Sequence, residues 1–166
     1  MPSLERFSER VNGVLAWAAG LALIAMMLFT VADMVLRALG RPVAGSYEII
    51  GWLAAAAMAL ALGYTQVHRG HVAIDLLTTR LHGRTRAVID LVTSLLALAL
   101  FAAVAWHLAR YGRVLQETGS LSETLKAIVY PWVYVVAAGA TGLALALLVE
   151  FLRSLARLRT AARQGR

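Results

Sequence analysis

VNGVLAWAAGLALIAMMLFTVA, residues 11–32, runs for 22 positions without an Asp, Glu, Lys, Arg or His. A hydrocarbon core about 30 Å thick is crossed by about 20 helical residues, so this one stretch is long enough to span a bilayer. Three more charge-free runs follow along the chain: residues 49–67 (19 residues), 91–106 (16 residues) and 127–149 (23 residues). The third is short and is expected to continue as helix to about residue 110, its ends relying on snorkelling side chains or local thinning. Ala, Leu and Met dominate, and the apolar runs are continuous. Barrel strands alternate apolar and polar residues over about ten positions, which these runs do not. Backbone in lipid must satisfy its own hydrogen bonds, which leaves helices. The sequence therefore predicts an all-α integral membrane protein of four transmembrane helices, at about 11–37, 48–68, 88–110 and 127–150. They form one membrane domain over 1–166 and end in a basic tail, 151–166.

Composition points the same way. Hydrophobic residues make up 60% of the chain and charged ones 15%, whereas soluble domains average roughly 45–50% and about 25%. The absence of cysteine excludes disulfides, thiolate metal sites and cysteine nucleophiles. The net charge of +7 reads as loops facing anionic lipid rather than as a nucleic-acid footprint. The first apolar run exceeds the roughly 7–15 residues of a signal-peptide core and shows no small-x-small cleavage site, so it is expected to be a retained helix.

The arginines set the orientation. The N-terminal flank, the second loop and the C-terminal flank together hold eleven Arg/Lys, and the first and third loops hold five. Positive residues stay inside, which predicts cytoplasmic N- and C-termini. Trp52, Trp106, Tyr111, Tyr130, Trp132 and Tyr134 then fall near the outer ends, and Trp17 and Tyr64 near the inner ends, as interfacial rings do.

Two flanking segments carry apolar stripes. Leu4, Phe7 and Val11 share a helical face, so the first residues either lie along the membrane surface or overhang the first span. Phe151, Leu152, Leu155 and Leu158 oppose Arg153, Arg157 and Arg163, which suits a surface anchor continuing the fourth span. Small residues recur every four positions, Ala55–Ala59–Gly63 and Ala138–Gly142–Ala146; such rows permit close helix contact, though a chain so rich in alanine produces them by chance too.

Few residues suggest chemistry. Asp33 and Arg37 are four apart and form a pair on one helical face. Ionisable groups at membrane depth are often functional, but a helix-end pair that positions the loop is the preferred reading. Glu48 and Asp90 open helices, where the dipole favours an acid, and Glu150 with Arg153 reads as a surface pair. No acid lies mid-span, and no Gly/Pro-broken helix pair of the kind that builds transporter ion sites is present. His68, His71 and His82 lie in or beside the second loop and His107 at the opposite face, so they cannot jointly hold one haem. His68 with His71 has metal-ligand spacing but no third ligand. No phosphate loop, nucleophile elbow or HExxH occurs. The chain is not expected to be an enzyme or to carry a cofactor.

Four elements carry a family resemblance. D-M-V-L-R-A-L-G-R-P-V closes the first helix (33–43). G-S-Y-E (45–48) enters the second. R-G-H-V-A-I-D (69–75) follows it and leads into a basic loop. G-S-L-S-E-T-L-K-A-I-V-Y-P-W-V-Y (119–134) enters the fourth. In order and spacing, across nearly the whole chain, this resembles the small membrane subunit, of the DctQ type, of tripartite ATP-independent periplasmic (TRAP) transporters. The resemblance implies a bacterial inner-membrane scaffold for a large multi-span subunit that moves organic acids, such as dicarboxylates, together with sodium. Sodium is expected to bind that large subunit, and a periplasmic substrate-binding protein delivers the acid. It also makes Asp33, Arg37, Glu48, Gly70, His71, Asp75, Pro131 and Trp132 candidates for fixing the loops or touching the partner subunit, the first task being preferred. Rival readings are a stand-alone small channel or exchanger, which would transport by itself, and a haem-bearing electron carrier, which would be coloured.

Overall fold

The computed structural model describes residues 2–68 and 83–164. It contains four helices: α1 (Pro2–Ala38), α2 (Ser46–Val67), α3 (Gly83–Thr118) and α4 (Tyr130–Gln164). Each includes a stretch long and apolar enough to cross a membrane. They run alternately up and down, so the α1–α2 turn and the loop 119–129 share one end, and both termini lie at the other.

Three of the helices overshoot a bilayer. At 1.5 Å per residue the 37 residues of α1 reach about 55 Å, against a core of about 30 Å. The segment carrying Leu4, Phe7 and Val11 is therefore an overhang continuous with the first span. The C-terminal basic stretch likewise continues α4 without a break as far as Gln164. The third helix does not stop near residue 110 but runs to Thr118.

Glycines define two of the stops. Gly40 (φ 75°) and Gly119 (φ 63°) adopt the left-handed conformation just past α1 and α3. Beyond them Arg41 N–H reaches the Leu36 carbonyl at 2.9 Å, and Ser120 N–H reaches the Leu115 carbonyl at 3.2 Å. These are the Schellman closures that satisfy the last carbonyls of a helix. At the start of α4, Pro131 lies in the first turn, where its missing N–H leaves no helical bond unmade.

α4 is the hub. It contacts all three other helices, α1 and α2 also pack on each other, and α3 lies along α4. Of its most apolar window 44% is buried, against 6% for α1 and for α3, so those two present their apolar surfaces outward. Trp17, Met27, Leu28, Leu96 and Leu100 are all exposed. A water-soluble monomer does not carry apolar surface on this scale; lipid or a membrane partner covers it.

α2 and α4 approach each other closely. A Cβ on Gly139 would strike the Ala59 backbone, and one on Gly63 would press on the Gly142 backbone as well as strike the Asn12 side chain of α1. The expected rows of small residues are right in part: Ala59, Gly63, Gly142 and Ala146 are buried, but Ala55 and Ala138 are exposed, and Ala56 and Gly139 take their places. A helix turns every 3.6 residues, so a strict spacing of four drifts off the contact and a mixture of three and four stays on it.

Candidate functional site

The turn end is held by two carboxylates. Asp33 sits in the last turns of α1 and is buried. Its Oδ2 accepts from Arg37 Nη2 at 3.0 Å, and its Oδ1 accepts from the Val43 N–H at 3.1 Å. Asp33 thus ties the end of α1 to the residue that leads into α2, with the buried Ser46 beside it. The Arg37 guanidinium, half-exposed, lies over the Tyr47 ring, 5.7 Å from its centroid, a cation–π distance.

Glu48, in the first turn of α2, works across the bundle. Its Oε1 accepts from the Thr124 N–H at 2.8 Å and its Oε2 from the Leu125 N–H at 3.2 Å. Charged acceptors make the stronger hydrogen bonds, and this pair fixes the middle of the 119–129 loop. The loop also braces itself: Ser122 N–H donates to the Ala127 carbonyl at 2.9 Å, and Ala127 N–H donates to Ser122 Oγ at 3.2 Å. Leu121 and Ile128 form an antiparallel bridge. Leu125 then folds over Gly45, whose φ of 72° suits glycine and where a Cβ would collide with the leucine. Below the loop Trp132 stacks on Trp52, with ring centroids 5.6 Å apart. Tyr134 OH donates to Gln116 at 3.2 Å, and its ring fills the space beside Gly112.

The opposite end has a second set of ties. Glu5 and Arg153 pair at 2.8 Å across α1 and α4. Gln66 Nε2 donates to Glu150 at 2.5 Å across α2 and α4. This corrects the expected Glu150–Arg153 pair: Glu150 takes Gln66, and Arg153 takes Glu5. Helical spacing allowed the local pair, but the packed neighbours are closer partners. Further in, Asn12 is fully buried. Its Nδ2 donates to the Ser8 carbonyl at 3.0 Å and contacts Ser8 Oγ at 3.3 Å. Its Oδ1 has no hydrogen-bond partner among the described residues. That oxygen instead faces Gly63 and Gly142, whose Cα hydrogens are weak donors of the kind found at close helix crossings.

Of the sequence-derived candidates, Asp33, Arg37, Glu48, Pro131 and Trp132 all lie at the turn end. Asp33 and Arg37 hold the α1–α2 turn, and Glu48 holds the 119–129 loop. Gly70, His71 and Asp75 lie outside the described residues, as does the His68–His71 pairing; the His68 ring stacks on Tyr64 at 4.0 Å. The sequence reading missed Asn12, Ser8, Gln66 and Glu5. Asn12 and Gln66 carried a signal, being amides inside otherwise apolar runs. The Thr124 and Leu125 amides carried none. Among the described residues no three His, Asp or Glu side chains converge on a possible metal position.

Four membrane-length helices, with their charged side chains tying helix to helix and loop to helix at the two ends, define a multi-pass membrane protein. The chain belongs to the DctQ family: over residues 26–157 it matches the family described as the DctQ component of tripartite ATP-independent periplasmic transporters. It is thus the small membrane subunit of a TRAP transporter, a transporter component and not a member of an enzyme family. No curated protein and no solved structure matches the chain.

Proposed function

We propose that this chain is the static scaffold of a sodium-coupled, binding-protein-dependent transporter for organic acids in the bacterial inner membrane, with both termini cytoplasmic. In this reading a large multi-span subunit binds the sodium and carries the acid. A periplasmic protein delivers that acid, and this chain binds no cofactor. One observation supports it most: the acids that hold the bundle together, Asp33, Glu48, Glu5 and Glu150, are each engaged within the chain. The outward faces of α1 and α3 are meanwhile apolar. A body tied at both ends and bare along its sides suits holding a partner in lipid better than moving a solute through itself. By the same reading Asp33, Arg37, Glu48, Pro131 and Trp132 keep the outer loops in shape, and Gly70, His71 and Asp75 belong to the inner loop.

The test is reconstitution. Liposomes with the large subunit, the binding protein and this chain take up the acid on a sodium gradient, and omission of this chain abolishes uptake. The purified chain alone moves nothing and is colourless. Saturable transport by this chain alone would overturn the scaffold reading.

A further inference from the structure

Between α1 and α2, near the termini end, lies an open groove of about 380 Å³. Its lining includes Gly13, Ala16, Trp17, Gly20 and Ile24 of α1 and Tyr64 of α2. Elsewhere the missing glycine Cβ makes room for a neighbouring helix, as at Gly63, Gly139 and Gly142. Here it does not: a Cβ added to Gly13 or Gly20 would meet nothing within 4 Å. Among the described residues nothing fills the slot, and the Trp17 ring beside it is 79% exposed.

The groove has a charged mouth. Residues 6, 10, 13, 17, 20 and 24 are spaced four, three, four, three and four apart, which puts them on one helical face. That face carries the slot straight into Arg10 and Arg6. Both are exposed, and neither has an ion pair among the described residues. Glu5 is held by Arg153, and Glu9, in the next row, lies in the field of the same Arg153. On the α2 side the exposed His68 stacks on Tyr64 of the lining.

We propose that this groove binds an anionic phospholipid, one acyl chain lying along Gly13–Gly20 and the phosphate resting between Arg6 and Arg10. An apolar slot that opens onto two guanidinium groups with no ion pair among the described residues complements an amphiphile with an anionic head. An apolar transmembrane helix would fill the slot but would offer the arginines nothing. The inference does not depend on the scaffold reading, since it concerns this chain and lipid alone.

Native mass spectrometry of the purified chain tests it, with phosphatidylglycerol and phosphatidylcholine of identical acyl chains as the two probes. The wild type is expected to retain phosphatidylglycerol preferentially, and inorganic phosphate should not displace it. Arg6→Gln with Arg10→Gln should remove that preference, at about fivefold per arginine, while Gly20→Leu, which fills open space, should weaken both lipids without lowering the thermal midpoint. Equal retention of the two lipids by the wild type, or an unchanged preference in the double variant, would overturn the proposal. So would a photocrosslinker at Ile24 that captures the large subunit in the intact complex instead of lipid.

Discussion

Glu48 shows how far one side chain reaches in this bundle. Both of its carboxylate oxygens accept backbone N–H groups from a loop more than seventy positions away. Glu48→Ala therefore leaves the Thr124 and Leu125 amides without their charged acceptor. Unmet donors of this kind cost about 1–3 kcal/mol when buried, and less at this partly exposed site. The expected outcome is a lower thermal midpoint in detergent, with faster hydrogen exchange confined to residues 120–128; unchanged exchange there would contradict the assigned bonds. Asn12 is the second such residue. Asn12→Ala opens a hole between α1, α2 and α4 and strips Ser8 of its donor. A loss of about 1–3 kcal/mol is expected in a reversible unfolding titration, larger than for the same change at the exposed Gln116. The two residues differ in how readable they were. Asp33 and Arg37 could be paired from their spacing, and Asn12, though missed, carried a signal as an amide in an apolar run. The partners of Glu48 could not be read, because a backbone N–H has no side-chain signature and its position depends on how the loop folds.

At the level of the element, the spans were legible because a charge-free run of some twenty residues has few structural alternatives in lipid. Helix ends were legible only where lipid sets them. The end of α3 was placed near residue 110, where charges return, yet the helix continues for two more turns on Tyr134 and stops at Gly119. A count of charges finds the edge of the membrane, whereas a glycine with positive φ marks the end of the helix. Contact rows were right only in part for a related reason: one-residue errors such as Ala55 for Ala56 come from imposing a spacing of four on a 3.6-residue turn. The α2–α4 crossing yields its own prediction. Gly139→Ala pushes a methyl into the Ala59 backbone and should destabilise by roughly 1–3 kcal/mol. Ala138→Gly, one position away on an exposed face, should cost only the helix propensity of about 1 kcal/mol. Equal effects of the two changes in a denaturant titration would place the crossing elsewhere.

For the whole molecule, α4 is the core around which α1, α2 and α3 assemble, and ties at both ends keep the bundle in register. The order of helices and their alternation followed from hydropathy. The choice of α4 as hub did not, because α1 and α3 are as apolar as α4 and hydropathy alone does not separate a face turned to lipid from one turned to a neighbouring helix. The scaffold and partner readings require four crossings with both ends inside and the Glu48-clamped loop outside. The chain has no native cysteine, so single cysteines report directly. In intact cells a membrane-impermeant maleimide should label Glu123→Cys and leave Ser3→Cys unlabelled until the inner membrane is opened. Labelling of Ser3→Cys in intact cells would contradict the account.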